Sequence, residues 1–182
     1  MKKALIITGV LVAALFAFIA YSGLFYSVTI TEKEMGPFTM ILKKHAGSYY
    51  KTGAVFNEVE AALKKNMDTK KLKAVGLYYD DPDKVKEEEL RSECGFIIEK
   101  GDMAKIGALE SGLFIKEFEK TSCAVGEFPL KSFLSYMMGP SKAYPALASY
   151  IKGKKISGDF GMEIYDLQSK KIFYCMPVGR VE

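Results

Sequence analysis

The chain has 182 residues, 49% of them hydrophobic and 26% charged, with a mean hydropathy of +0.04. That is enough for one domain with a proper core plus one extra segment. The formal net charge is +4, but Lys2 and Lys3 precede the first apolar run, and the remaining 24 basic and 22 acidic residues nearly cancel, which excludes an electrostatic nucleic-acid binder.

From Ala4 to Phe25 no residue is charged. As a helix this run would extend roughly 33 Å, enough for a bilayer. Tyr21 and Tyr26 near its end suit a membrane interface. A cleaved signal peptide is the competing reading, with Ala20-Tyr21-Ser22 as a small-x-small site. The run is longer than the signal core of about 7–15 residues, so an uncleaved anchor over residues 1–26 is expected. Lys2 and Lys3 favour a cytoplasmic N-terminus and therefore an extracytoplasmic domain over residues 27–182. No lipobox-type cysteine follows the run.

Val28 to Glu34 alternates at the period of a strand, Gly36-Pro37 makes a turn, and Phe38 to Lys44 gives a second strand. His45 to Tyr49 breaks the pattern. Val55, Phe56, Val59, Ala62 and Leu63 then mark one face of a helix. A third strand, Lys73 to Tyr79, ends at the turn Asp80-Asp81-Pro82-Asp83, and Gly95 to Glu99 is a fourth. After a glycine-punctuated connection the order recurs. Leu113 to Lys120 is a strand, and Ser122 to Pro129 begins another that runs towards Tyr136. Gly139-Pro140-Ser141 breaks it, and a helix follows with Leu147, Ala148 and Ile151 on one face. Pro145 is tolerable there only in the first turn. Phe160 to Asp166 and Ile172 to Val178 close the chain as strands. The order is ββαββ twice, over about 27–100 and 112–182. Two such copies give an α+β domain with pseudo-two-fold symmetry and a central groove, the kind of junction where small ligands bind.

A shift of about 86 positions lays Tyr79-Asp80 over Tyr165-Asp166 and places Leu77 opposite Glu163. Glu163 is then a carboxylate in a buried strand with no symmetric partner. Such a charge must be paired or must meet a ligand, because stripping its water costs several kcal/mol. Tyr165 lies on the same strand face. Tyr78 and Tyr79 point to opposite faces, and Tyr49 and Tyr144 are expected to begin the two helices at the rim of the groove. Each of these tyrosines is equally at home in a core. Cys94, Cys123 and Cys175 lack metal-ligand spacing and read as small buried hydrophobes. His45 has no ligand-type neighbours, and neither a nucleophilic triad nor a phosphate loop is evident. Asp80-Asp81 reads as a turn former. No metal or cofactor is expected.

The stretches Gly47-Ser48-Tyr49, Gly76 to Pro82, Leu90 to Gly95, Glu163-Ile164-Tyr165 and Met176-Pro177-Val178, in this order, resemble the GyrI-like small-molecule-binding domains, including the effector-binding domains of multidrug-responsive regulators. The resemblance implies a duplicated, SHS2-like module. It also implies that the glutamate of the Glu-x-Tyr strand, here Glu163, lies at the bottom of a groove and meets cationic aromatic ligands. Some relatives use a glutamate and a tyrosine to hydrolyse reactive antibiotics, and others bind gyrase. A membrane-anchored branch includes a eukaryotic autophagy receptor with a long acidic tail; this sequence ends at Glu182, right after the last expected strand, so that role is not expected here. Nor is a helix-turn-helix evident. The leading expectation is a membrane-tethered domain that captures a small amphipathic ligand, a cationic aromatic one in the sharpest case, through Glu163, Tyr165, Tyr78, Tyr49 and Tyr144. The alternatives are a hydrolase of reactive electrophiles using Glu163 and a tyrosine, and a protein-interaction module without a small ligand.

Overall fold

The computed structural model describes residues 1–158 and 160–180. The apolar run forms helix α1 (Lys2–Ile19) and continues through a π-helical turn, Ala20–Leu24. Together they make one helix long and apolar enough to cross a membrane, with no residue of α1 buried.

The rest is an antiparallel sheet with helices on one face. Its elements in chain order are β1 (Ile30–Met35), β2 (Phe38–Ala46), α2 (Thr52–Leu63), β3 (Lys73–Tyr78), β4 (Arg91–Ile98), α3 (Met103–Ile106), β5 (Leu113–Phe118), β6 (Thr121–Pro129), α4 (Ser135–Lys154), β7 (Ile156–Gly158), β8 (Gly161–Asp166) and β9 (Lys171–Arg180). The sheet order is β1-β6-β9-β8-β3-β4-β2-β5, with β7 paired to the end of β9. This order reads the same from both ends once β1 is matched with β5, β6 with β2, β9 with β4 and β8 with β3. The pseudo-two-fold axis therefore passes between β3 and β8. The first strand of each half is exchanged: β1 pairs with β6 of the second half, and β5 with β2 of the first.

The exchange curls the sheet. β1 and β2 are joined by Gly36-Pro37 although they lie near opposite ends of the order, and that turn packs against Phe118 and Glu119 of the β5–β6 turn. The enclosed face is apolar, built on Met40, Leu42, Val75, Leu77, Cys123, Val125, Met162, Ile164 and Cys175. Burial pushes the Cys123 thiol up to about 11. On the other face, α2 covers the first half with Val55, Val59 and Leu63, four residues apart on one helical face. α4 covers the second half with Ser135, Gly139, Ala143 and Leu147 at the same spacing.

Three expectations are corrected here. The strand expected to run on to Tyr136 stops at Pro129, and α4 begins at Ser135 and carries Pro140 and Pro145 in its interior. The prolines remove the amides that would meet the carbonyls of Tyr136 and Ser141. Packing outweighs that loss: the small-residue stripe lets the helix lie close on β6 and β9, with Gly139 against Tyr174. Ala148, expected on the apolar face, is exposed. Tyr144 lies midway along α4 rather than at its start.

Candidate ligand-binding site

The axis between β3 and β8 carries the site. Gly76 pairs with Glu163 across it, Tyr78 with Gly161, and Glu163 with Tyr174 on its other side. These residues share the helix-bearing face, in the gap between α2 and α4. Superposing the halves so that the enclosed residues Val75 and Leu77 fall on Met162 and Ile164 places Gly76, not Leu77, on Glu163. The shift is therefore 87 positions: it also takes Tyr78 to Tyr165 and Tyr49 to Tyr136. Leu77 points into the enclosed core, because a slip of one residue moves a strand's side chains to the opposite face.

Glu163 is buried, with 5% of its surface exposed. Tyr144 donates its hydroxyl to one carboxylate oxygen at 2.8 Å, and Tyr165 donates to the other at 2.5 Å. Burial raises the Glu163 pKa, and the two hydroxyl donors pull it part of the way back. Burial, followed by the Glu163 charge, holds Tyr144 and Tyr165 well above the ordinary tyrosine value. Tyr78 is raised for the same two reasons. The tyrosines thus stay protonated donors, and the carboxyl is the group that titrates. Beside it, the Cys94 thiol is pushed up to about 12 by burial.

Glycines hold the rings in place. Tyr78 lies over Gly76 and Tyr144 over Gly161; a Cβ at either glycine would stand 2.8 or 2.7 Å from the ring or its hydroxyl. Tyr49 meets Tyr78 edge-on at 4.9 Å, and Tyr136 meets Tyr165 at 5.5 Å, as the pseudo-symmetry requires. Phe56 of α2 also packs edge-on against Tyr165 at 5.9 Å. The Tyr49 hydroxyl donates to the carbonyls of Asp80 and Arg91, which ties it to the β3–β4 loop. Tyr174 lies beside Tyr144 at 5.8 Å with its buried hydroxyl unpartnered among the described residues. Two recesses of about 360 and 290 Å³ open elsewhere, beside Pro37 and beside Glu58, and Glu163 lines neither.

The five residues singled out from the sequence fall into two groups. Tyr144 and Tyr165 touch the Glu163 carboxylate, while Tyr78 and Tyr49 form the matching aromatic pair of the first half. Tyr79 points away, to Glu93 and Lys116. Asp80 takes a two-pronged bond from Arg91, and Asp81 accepts from the Asp83 amide, as turn formers do. Tyr136, Phe56, Gly76 and Tyr174 were not singled out. The spacing of Tyr136 from Tyr49, equal to that of Tyr165 from Tyr78, is the signal that would have found the first.

An antiparallel sheet whose halves exchange first strands, with one helix from each half on the same face, is a duplicated α+β module. The chain belongs to the GyrI-like small molecule binding domain family, whose description matches residues 28–170. It is 30% identical over 172 residues to the testis-expressed protein 264 homolog of Mus musculus, covering 90% of this chain and 53% of that protein, so it spans about half the length of that relative. Its fold is similar to that of the EcmrR C-terminal domain, with TM-score 0.60, 12% identity, and coverage of 85% of this chain and 99% of that one. It is also similar to SAV2435 bound to tetraphenylphosphonium, with TM-score 0.51, 13% identity, and coverage of 83% and 94%.

Proposed function

We propose that this protein is a membrane-anchored domain that captures an amphipathic organic cation, with Glu163 as the charge partner. The observation that carries the reading is a buried carboxylate whose only partners among the described residues are two neutral hydroxyls. An ionised carboxylate in that position lacks a counter-charge, and a cation would supply one where the local dielectric is low. Tyr78 and Tyr144 cover Gly76 and Gly161, so swinging the two rings away would bare a flat floor on either side of the carboxylate. Tyr49, Tyr136 and Tyr165 would form the walls. A related fold holding tetraphenylphosphonium supports the ligand class by analogy.

The anchor reading draws support from the juxtamembrane segment. Ser22 is fully buried against the domain and bonded to Ser132 at 2.8 Å, and Lys142 donates to the carbonyls of Leu24 and Tyr26. Cleavage after Ser22 would discard half of this latch. Lys2 and Lys3 favour an extracytoplasmic domain. The hydrolase reading would need a water within hydrogen-bond reach of Glu163, beside the two tyrosine hydroxyls that its oxygens already accept.

The test is titration of the detergent-solubilised full chain with tetraphenylphosphonium and a panel of cationic aromatic dyes, wild type beside Glu163→Gln. Binding that weakens by about ten-fold or more in the variant, near 1.4 kcal/mol, supports the reading. Equal affinity in both proteins removes Glu163 from the site. Absence of binding to either sinks the cation reading and turns attention to a protein partner.

A further inference from the structure

The end of α1 and the start of α4 form one surface. Phe133, in the loop before α4, is 67% exposed and packs against Phe18, one of the last residues of α1, with ring centroids 6.3 Å apart. Lys131 lies over the Tyr21 ring at 5.0 Å. Polar contacts fix the arrangement: the Ser135 hydroxyl faces the Ser22 carbonyl, Ser132 donates to Ser22, and Ser22 donates back to the Phe18 carbonyl. The Gly23 backbone sits on the Phe128 ring, so close that a side chain there would collide with it. The loop is therefore held to the helix by a latch and is not merely near it.

The depth of Phe133 follows from its neighbour. At 1.5 Å per residue, Phe18 lies about 21 Å from Ala4, inside a hydrocarbon layer of about 30 Å that begins at Ala4. A side chain stacked on Phe18 shares its depth. An exposed phenyl ring at that depth enters the hydrocarbon on the domain side of the bilayer, while Tyr21 and Lys131 lie nearer the headgroups and are the residue types of a membrane-interface belt.

We propose that the loop Lys131–Ser135, with Phe133 at its tip, is a second membrane-contact element that seats the domain on the bilayer holding α1. The occupant of this surface is the lipid interface itself, argued from continuity with the bilayer-length helix. The proposal rests on the reading of α1 as a membrane anchor. One turn beyond Phe133, Tyr136 meets Tyr165 and hence Glu163, so the seated face is also the face nearest the site.

The chain contains no tryptophan, so a single substitution gives a clean reporter. Phe133→Trp, Phe16→Trp in α1 and Ile115→Trp, an exposed position on β5 at the opposite end of the sheet order from β6, are each placed in the full chain and reconstituted into phosphatidylcholine vesicles with and without brominated acyl chains. The expected result is blue-shifted emission quenched by the brominated lipid at positions 16 and 133 and unquenched emission at 115. Quenching at 16 with a water-like, unquenched signal at 133 overturns the proposal and leaves the anchor standing. No quenching at either position overturns both. Equal quenching at all three also overturns the proposal, because the domain would then have no preferred face.

Discussion

The two halves meet at a pair of residues that could hardly differ more: Gly76 from the first and Glu163 from the second, paired across the pseudo-two-fold axis. The helices above them differ in the same sense. α2 packs on the sheet through Val55, Val59 and Leu63, an ordinary apolar face. α4 packs through Ser135, Gly139 and Ala143, tolerates two prolines and brings Tyr144 down onto the carboxylate. In the proposed reading the first half supplies room and the second supplies the charge. Duplication provides a symmetric frame, and the proposed site lies where the symmetry fails.

The largest effect expected concerns which residue occupies the axis. Leu77 is fully buried in the enclosed face, so Leu77→Glu puts an unpaired charge into a dry core and should cost several kcal/mol, abolishing cooperative unfolding in a chemical denaturation experiment. If the variant folded normally, Leu77 and not Gly76 would be the counterpart of Glu163. Next is the contrast between the helices. A Cβ at Gly139 would lie 2.0 Å from the Tyr174 hydroxyl, whereas one at Gly53 of α2 meets nothing within 4 Å. Gly139→Ala should therefore lose about 1–3 kcal/mol, and Gly53→Ala should gain up to about 1 kcal/mol, both read from denaturant midpoints. Effects of the same sign would mean that the helices pack alike.

The smallest effect is the pH dependence of Glu163. Its folded pKa is raised above the ordinary value of 4.5, so between those two values the unfolded chain binds fewer protons than the folded one. Stability contributed by the protonated group is present in full below about 4.5 and is lost as pH rises towards the folded pKa. Glu163→Gln removes this slope. The melting temperature of the variant relative to wild type should rise between pH 4 and pH 8, and a flat difference would show that the carboxyl is ionised in the fold without penalty.

Much of this was legible from residue patterns, and the misses have physical causes. The strands and α2 follow from period-two and period-3.6 patterns that burial enforces. The membrane-length helix follows from an uncharged run. Local propensity truncates α4, because Gly139-Pro140 is a breaker, and the close approach to Tyr174 explains why the helix survives it. Aligning the repeat on Tyr79-Asp80 and Tyr165-Asp166 falls one position off. Tyr79 belongs to the face opposite that of Tyr165, and local identity does not report which way a side chain points. The carboxylate itself was found because a charge inside an apolar strand is anomalous whatever the alignment. Its two tyrosine partners come from different elements, and one of them, Tyr144, lies in the middle of a helix that, read from the Gly139-Pro140 signal, would start near it.

The exchanged first strands have a consequence for synthesis. β1 follows the N-terminal helix closely, yet its only strand partner among the described residues is β6, which begins at Thr121. During translation β1 must wait unpaired while some ninety residues are made. An unpaired edge is a template for aggregation, and charge is the usual protection. Four charged or polar residues, Thr31 to Glu34, fill the middle of β1 and are exposed even in the finished fold, with Lys33 reaching Glu127 and Glu34 reaching Lys120 once β6 has arrived. The strand that waits longest is thus the one least able to recruit a wrong neighbour.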